Sequence, residues 1–124
     1  MNSQKSILLI DDEPAFLKTL GVKLEWEGYK VITATDGKEG LELASSLHPD
    51  LIILDILMPV MDGIQVLEKL RQNDWGKDVP VMMLTNLTHE EKESKAYAKN
   101  VKDYIVKSNW TLADILTKVN KYIG

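Results

Sequence analysis

Five short apolar runs recur along the chain, separated by stretches whose apolar residues fall at helical spacing. The runs are Ile7-Leu8-Leu9-Ile10, Val31-Ile32, Leu51-Ile52-Ile53-Leu54, Val81-Met82-Met83-Leu84 and Tyr104-Ile105-Val106. Most are continuously apolar rather than alternating, as strands covered on both faces should be. Alternation of such runs with amphipathic helices predicts an α/β domain in which helices flank a parallel sheet.

The helix starts are written in side chains. Asp36 with Glu39, Asp62 with Gln65, Thr88 with Glu91, and Thr111 with Asp114 all have capping-box spacing. Trp110 and Ile115 add the spacing of a hydrophobic staple before the last helix, where Leu112, Ile115, Leu116, Val119 and Ile123 form an apolar stripe. Pro14 and Gly28 bracket the first helix, a residue suited to a first turn and one suited to a helix exit. The fourth predicted helix, about Thr88 to Asn100, differs from the others. Its charged residues leave only Ala96, Tyr97 and Ala98 as apolar material, so it should be loosely held.

Composition narrows the classes without choosing among them. A length of 124 residues predicts one domain, residues 1–124, with 44% hydrophobic residues to build its core. A net charge of −4 argues against direct nucleic-acid binding through a broad basic surface. Cysteine is absent, which excludes disulfides and thiolate metal sites. No apolar stretch approaches the roughly 20 residues that span a bilayer, and the N-terminus has no signal-peptide core, so a soluble cytoplasmic protein is expected. His48 and His89 are read as surface residues.

Chemistry gathers at the strand ends. Asp11, Asp12, Asp55, Thr85 and Lys107 each stand at or just past the C-terminal end of an apolar run. In a parallel sheet these ends share one edge, where open α/β folds place their ligands. Each residue alone is an ordinary loop or helix-start residue; five on one edge predict a site. Three clustered carboxylates repel one another and require counter-charge, so a divalent cation is implied beside Lys107.

These residues fall within the linked motifs Asp11-Asp12-Glu13-Pro14, Asp55-Ile56-Leu57-Met58-Pro59, Asp62-Gly63, Thr85 and Asp103-Tyr104-Ile105-Val106-Lys107. Over its whole length the chain resembles a response-regulator receiver domain. The resemblance implies a flavodoxin-like, three-layer fold with strand order 2-1-3-4-5. It also implies phosphoryl transfer onto Asp55 from a sensor histidine kinase or phosphotransfer protein. Mg²⁺ or Mn²⁺ would be held by Asp12, Asp55, the Leu57 carbonyl and, largely through water, Asp11. Lys107 would meet the phosphoryl oxygens and Thr85 would donate its hydroxyl to them. Tyr104 would turn inward, switching a surface of the fourth helix, fifth strand and fifth helix that meets a downstream protein target. The kinase would dock around Pro14, Ala15, Leu17 and Lys18.

Four positions depart from the family pattern. Asn86 follows Thr85 where a small residue is usual, Ser108 replaces the proline after the lysine, and Leu57 and Leu87 stand where many relatives are polar. Without that proline, Lys107–Ser108 is expected to be trans. Three other readings compete. A binding-only module of the same fold would not need Asp55, Lys107 and Thr85 together. An aspartyl-phosphate phosphatase generally needs an acid where Leu57 stands. A flavin carrier is opposed by the acidic turn after the first strand.

Overall fold

Five strands form one parallel sheet in the order β2-β1-β3-β4-β5, with β1 Ser6–Ile10, β2 Lys30–Ala34, β3 Leu51–Leu54, β4 Val81–Thr85 and β5 Asp103–Val106. This computed structural model describes residues 4–86, 93, 95–97 and 99–124. Strand order and helix placement agree with the doubly covered, flavodoxin-like architecture expected from the sequence.

Side-chain alternation along the strands sorts the core into two layers. Leu8, Ile10, Ile52, Leu54, Val81, Met83 and Tyr104 face one cluster, completed by Ala44 of α2 (Gly37–Leu47) and by Ile64, Val66, Leu67 and Leu70 of α3 (Gly63–Arg71). Ile7, Leu9, Leu51, Ile53, Met82, Leu84 and Ile105 face the other. There Leu17, Leu20 and Leu24 of α1 (Pro14–Trp26) meet Ile115 and Val119 of the C-terminal helix (Leu112–Ile123). Strand β2 runs three residues longer than its Val31-Ile32 signature. As an edge strand it exposes Lys30 and Thr33, which hides it from an apolar pattern.

The sequence signals for helix ends are largely realised. Reciprocal capping boxes form at Asp62 with Gln65 and at Thr111 with Asp114. Asp36 accepts the Glu39 amide at 2.8 Å, but the Glu39 carboxylate reaches one residue further back, to the Thr35 amide at 3.1 Å. Pro14 opens α1, and Gly28 leaves it with φ +97°, a conformation that favours glycine. At the last helix Ile115 is buried as the staple requires, whereas Trp110 stays partly exposed with the Lys118 ammonium 5.7 Å from its ring centre. The Thr88 and Glu91 pair and His89 lie outside the described residues. Of the fourth predicted helix, Glu93, Lys95, Ala96 and Tyr97 are helical, with Ala96 buried and Tyr97 half exposed.

Arg71 at the end of α3 ties this region together. Its guanidinium donates to the carbonyls of Gly76, Val79, Lys99 and Asn100 at 2.7–2.9 Å, joining the loop before β4 to the segment before β5. His48, in a left-handed conformation with φ 46°, is exposed and stacks on Trp75 at 4.6 Å. No peptide bond among the described residues is cis, so Lys107–Ser108 is trans as expected.

Candidate functional site

Parallel register brings the strand ends level. Ile10 pairs with Ala34 on one side and Leu54 on the other, so Asp11 and Asp55 leave neighbouring strands side by side. The Asp55 amide donates to the Ile10 carbonyl at 2.9 Å and the Asp11 amide to Ala34 at 3.1 Å, fixing both backbones. Across β4 and β5, Thr85 pairs with Val106, and Lys107 follows at the start of a short 3-10 turn, Lys107–Asn109.

The loop after β3 is drawn tightly over the site. A Cβ added to Gly63 would come 2.1 Å from the Asp55 carbonyl oxygen, so only glycine lets α3 begin this close to the strand end. On the way Val60 adopts φ 68°, a left-handed conformation that a β-branched residue rarely takes. Leu57 lies in this loop, half exposed, and no backbone amide of the described residues donates to its carbonyl.

Ligand oxygens of Asp11, Asp12 and Asp55 all lie within 4.8 Å of one another. Asp11 and Asp55 are buried and Asp12 is exposed, an open-sided cup of carboxylates. The Lys107 ammonium lies 2.6 Å from Asp11, 3.1 Å from Glu13 and 3.8 Å from Asp55, and 4.1 Å from the centre of the Phe16 ring. Asp55 also accepts the Ile56 amide at 2.9 Å and a hydrogen bond from Thr85.

Burial pushes the Asp55 carboxyl up to about 6, and the neighbouring Asp11 charge adds to this against the opposing Lys107 charge and hydrogen bonds. Asp11 is likewise raised by burial, despite its bond to Lys107. Burial alone would lower the Lys107 ammonium, but its bond to Asp11 and the charges of Asp55 and Asp11 outweigh that and raise it. One cation shared among three carboxylates offsets only part of each one's desolvation. The pairing keeps Lys107 charged while leaving the acids short of positive charge, and a divalent cation fits that deficit. An exposed oxygen at Asp12 and two buried carboxylates make an all-oxygen donor set, the kind Mg²⁺ and Mn²⁺ favour.

All five strand-end residues thus lie along one edge of the sheet, and the structure adds two more. Glu13 was legible only as part of a motif and Phe16 had no signal beyond being the one phenylalanine in the chain. Their spacing on the first turn of α1 could have placed both beside the strand edge. Glu13 also changes the charge balance. With Lys107 and a divalent ion, four carboxylates leave one negative charge rather than the neutrality that three imply. Tyr104 is buried, and its hydroxyl is raised by that burial and then by Glu93 and Asp55. Of the residues expected to meet a kinase, Pro14, Ala15 and Lys18 are exposed, whereas Leu17 is 6% exposed and belongs to the core. Helix phase points it inward. Asn86 is exposed, and Leu87 lies outside the described residues.

The family model for the response regulator receiver domain matches residues 7–120. The chain belongs to that family. Receivers are modules of two-component phosphorelay signalling, and the relatives of this one include transcriptional regulators. It is 41% identical over 101 residues to the DNA-binding dual master transcriptional regulator RpaA of Synechocystis, covering 82% of this chain and 42% of that protein. It is 41% identical over 103 residues to the alkaline phosphatase synthesis transcriptional regulatory protein PhoP of Bacillus subtilis, covering 83% and 42%. The chain therefore spans about two fifths of the length of these relatives. Among solved structures, the chemotaxis protein CheY4 of Vibrio cholerae superposes with a TM-score of 0.90 at 30% identity, covering 98% of this chain and 100% of that one. The receiver domain of a sensor histidine kinase from Pseudomonas aeruginosa, with magnesium coordinated in its active site cleft, superposes with a TM-score of 0.87 at 25% identity, covering 98% and 99%. No helix among the described residues of the receiver is long and apolar enough to cross a membrane.

Proposed function

We propose that this receiver, acting as one domain over residues 1–124, accepts a phosphoryl group on Asp55 from the phosphohistidine of a sensor histidine kinase or phosphotransfer protein in the cytoplasm. The observation that carries this reading is the position of Asp55. Its carboxylate is buried, 3.8 Å from Lys107 and within a cluster of carboxylates able to hold a metal ion. A nucleophilic anion that must approach an anionic phosphoryl group needs fixed positive charge on both sides.

Transfer breaks the phosphorus–nitrogen bond of the donor and forms a phosphorus–oxygen bond to Asp55. Lys107 stays protonated and offers its charge to the phosphoryl oxygens, leaving its present partners Asp11 and Glu13 in part to do so. Asp11, Asp12, Asp55 and the Leu57 carbonyl would hold Mg²⁺ or Mn²⁺, which when bound neutralises charge between carboxylates and phosphoryl oxygens. Thr85, already bonded to Asp55, can donate its hydroxyl to the phosphoryl group, drawing the segment after β4 inward. Tyr104 belongs to the same buried cluster as Ala96 and so would link that movement to the surface of the fourth predicted helix, β5 and the C-terminal helix. That surface would meet a downstream protein target. The net charge of −4 supports protein rather than direct nucleic-acid recognition by this chain.

The receiver would catalyse only its own phosphorylation and slow dephosphorylation. Acetyl phosphate with Mg²⁺ should add one phosphoryl group by intact mass, and none to Asp55→Asn protein. Equal labelling of that variant would refute the assignment, and an unlabelled parent would favour a binding-only module. Hydrogen exchange should change on phosphorylation around Tyr104 and the C-terminal helix more than in α2 and α3. A uniform change would refute a localised switch.

A further inference from the structure

Away from the phosphoryl site, the outward face of α1 carries an aromatic residue with no covering. Trp26 is 84% exposed at the end of the helix, and Val22, one turn earlier, is 44% exposed. With Lys18 a further turn back they form a single stripe, because residues four apart share a helix face. A groove of about 510 Å³ runs along it, flanked by Thr19 and Lys23, and Glu25 stands on the Lys18 side beside Val22 and Trp26. Leu17, Leu20 and Leu24 bury the opposite side of the helix, so this stripe is surplus to the monomer's core.

The charges on the stripe are self-complementary about Val22. Lys18 lies four residues before it and Glu25 three after it, about 6 and 4.5 Å along the axis in opposite directions. They stand on the same flank, at helical angles about 20° apart. Turning a second copy antiparallel, with the two-fold axis passing Val22, sets each Lys18 beside Glu25 of the other copy. The same turn sets each Trp26 against the other copy's Thr19, and Val22 against Val22. One patch thereby satisfies itself twice, which is what an isologous contact requires. Within one copy Lys18 and Glu25 are two turns apart, too far to pair with each other.

We propose that this stripe is a homodimer seam, joining two receivers through antiparallel α1 helices centred on Val22. The contact is small, with one exposed aromatic residue per copy, so association should be weak, with Kd on the order of 0.1–1 mM. Neither Asp55 nor the Tyr104 surface is part of it, so the dimer should form with or without phosphorylation.

Sedimentation velocity of the 124-residue chain from about 10 µM to 2 mM tests this. The parent should pass from monomer to dimer, and Trp26→Ala should remain monomeric with unchanged circular dichroism. Lys18→Glu and Glu25→Lys should each weaken the dimer by about tenfold or more, since each creates two like-charge pairs. The double variant Lys18→Glu with Glu25→Lys should recover to within about threefold of the parent, because the pairs are re-formed with signs exchanged. A parent that is monomeric throughout, which would leave the stripe to a different protein, overturns the proposal. So does a dimer that is indifferent to Trp26→Ala, or a double variant no tighter than either single one.

Discussion

Removing the charge of Asp55 should stabilise the metal-free protein. In the native state this carboxyl titrates at about 6 instead of its ordinary 3.8, chiefly because burial penalises the charged form. An acid whose native pKa is raised binds protons more tightly folded than unfolded, so folding stability falls as pH rises between those two values and the full cost is present above about 6. A separation of about two on the pH scale corresponds to about 3 kcal/mol. In the Asp55→Asn variant the side-chain amide oxygen can still accept from the Ile56 amide; the raised value is already net of the Lys107 attraction, and burying the amide itself costs some free energy, so a gain of about 1–3 kcal/mol is expected at pH 7.5 in chelator. For a domain of this size that is a rise in Tm of roughly 4–12 °C.

The dependence on conditions is the sharper part of the expectation. Urea denaturation of both proteins from pH 3.5 to 8 should show the advantage of Asp55→Asn growing between about 4 and 6 and level above. Mg²⁺ at ten times its dissociation constant should stabilise the parent by about 1.4 kcal/mol and the variant by less, narrowing the gap. An equal or less stable variant at pH 7.5, or an advantage as large at pH 3.5 as at 7.5, would show that Asp55 bears no desolvation cost. The account of the site as short of positive charge would then fail with it.

Further outcomes follow from other contacts. Asp12→Ala should abolish the rise in Tm on adding Mg²⁺, whereas Lys107→Ala should keep it with affinity tightened by roughly threefold to tenfold, because Asp11 loses its competing ammonium; calorimetric titration reads both. Arg71→Ala should cost about 2–3 kcal/mol in urea denaturation, since four backbone carbonyls lose a charged donor; a loss under 0.5 would show that water replaces it freely. Val60→Asn should raise stability by about 1 kcal/mol, because asparagine tolerates the left-handed φ of 68° that strains valine; no gain would mean the loop relaxes that strain elsewhere.

Local signals account for what could be read in advance. Strand ends are visible because an apolar run stops at a charged or hydroxylated residue, and in a parallel sheet every such stop lies on the same edge. Hence Asp11, Asp55, Thr85 and Lys107 could be grouped without knowing a single distance. Caps at Asp62 and Thr111 were equally local. Contacts between distant segments carry no local signal, and helix phase is legible only where the register of the whole helix is followed. Leu17 looked available beside Pro14 and Lys18, but rotation about α1 turns it into the core. Arg71 finds its acceptors in carbonyls, which carry no side-chain signature, up to 29 positions away. The Lys30–Ala34 edge strand gave a weak signal because Lys30 and Thr33, two of its five residues, face water.

The arrangement around Lys107 shows why the missed residues matter to the proposed phosphoryl site. Its ammonium is held most closely by Asp11 and Glu13 and sits over Phe16, while Asp55 is the most distant of its three carboxylates. Any positive charge placed among Asp11, Asp12 and Asp55 competes with Lys107 for Asp11, and any negative charge placed on Asp55 draws the ammonium the other way. A phosphoryl group on Asp55 would draw Lys107 toward β3 and away from Glu13. Under the proposed function the Lys107–Glu13 contact opposes that movement, and its strength is carried by residues of the α1 entry turn rather than by β3.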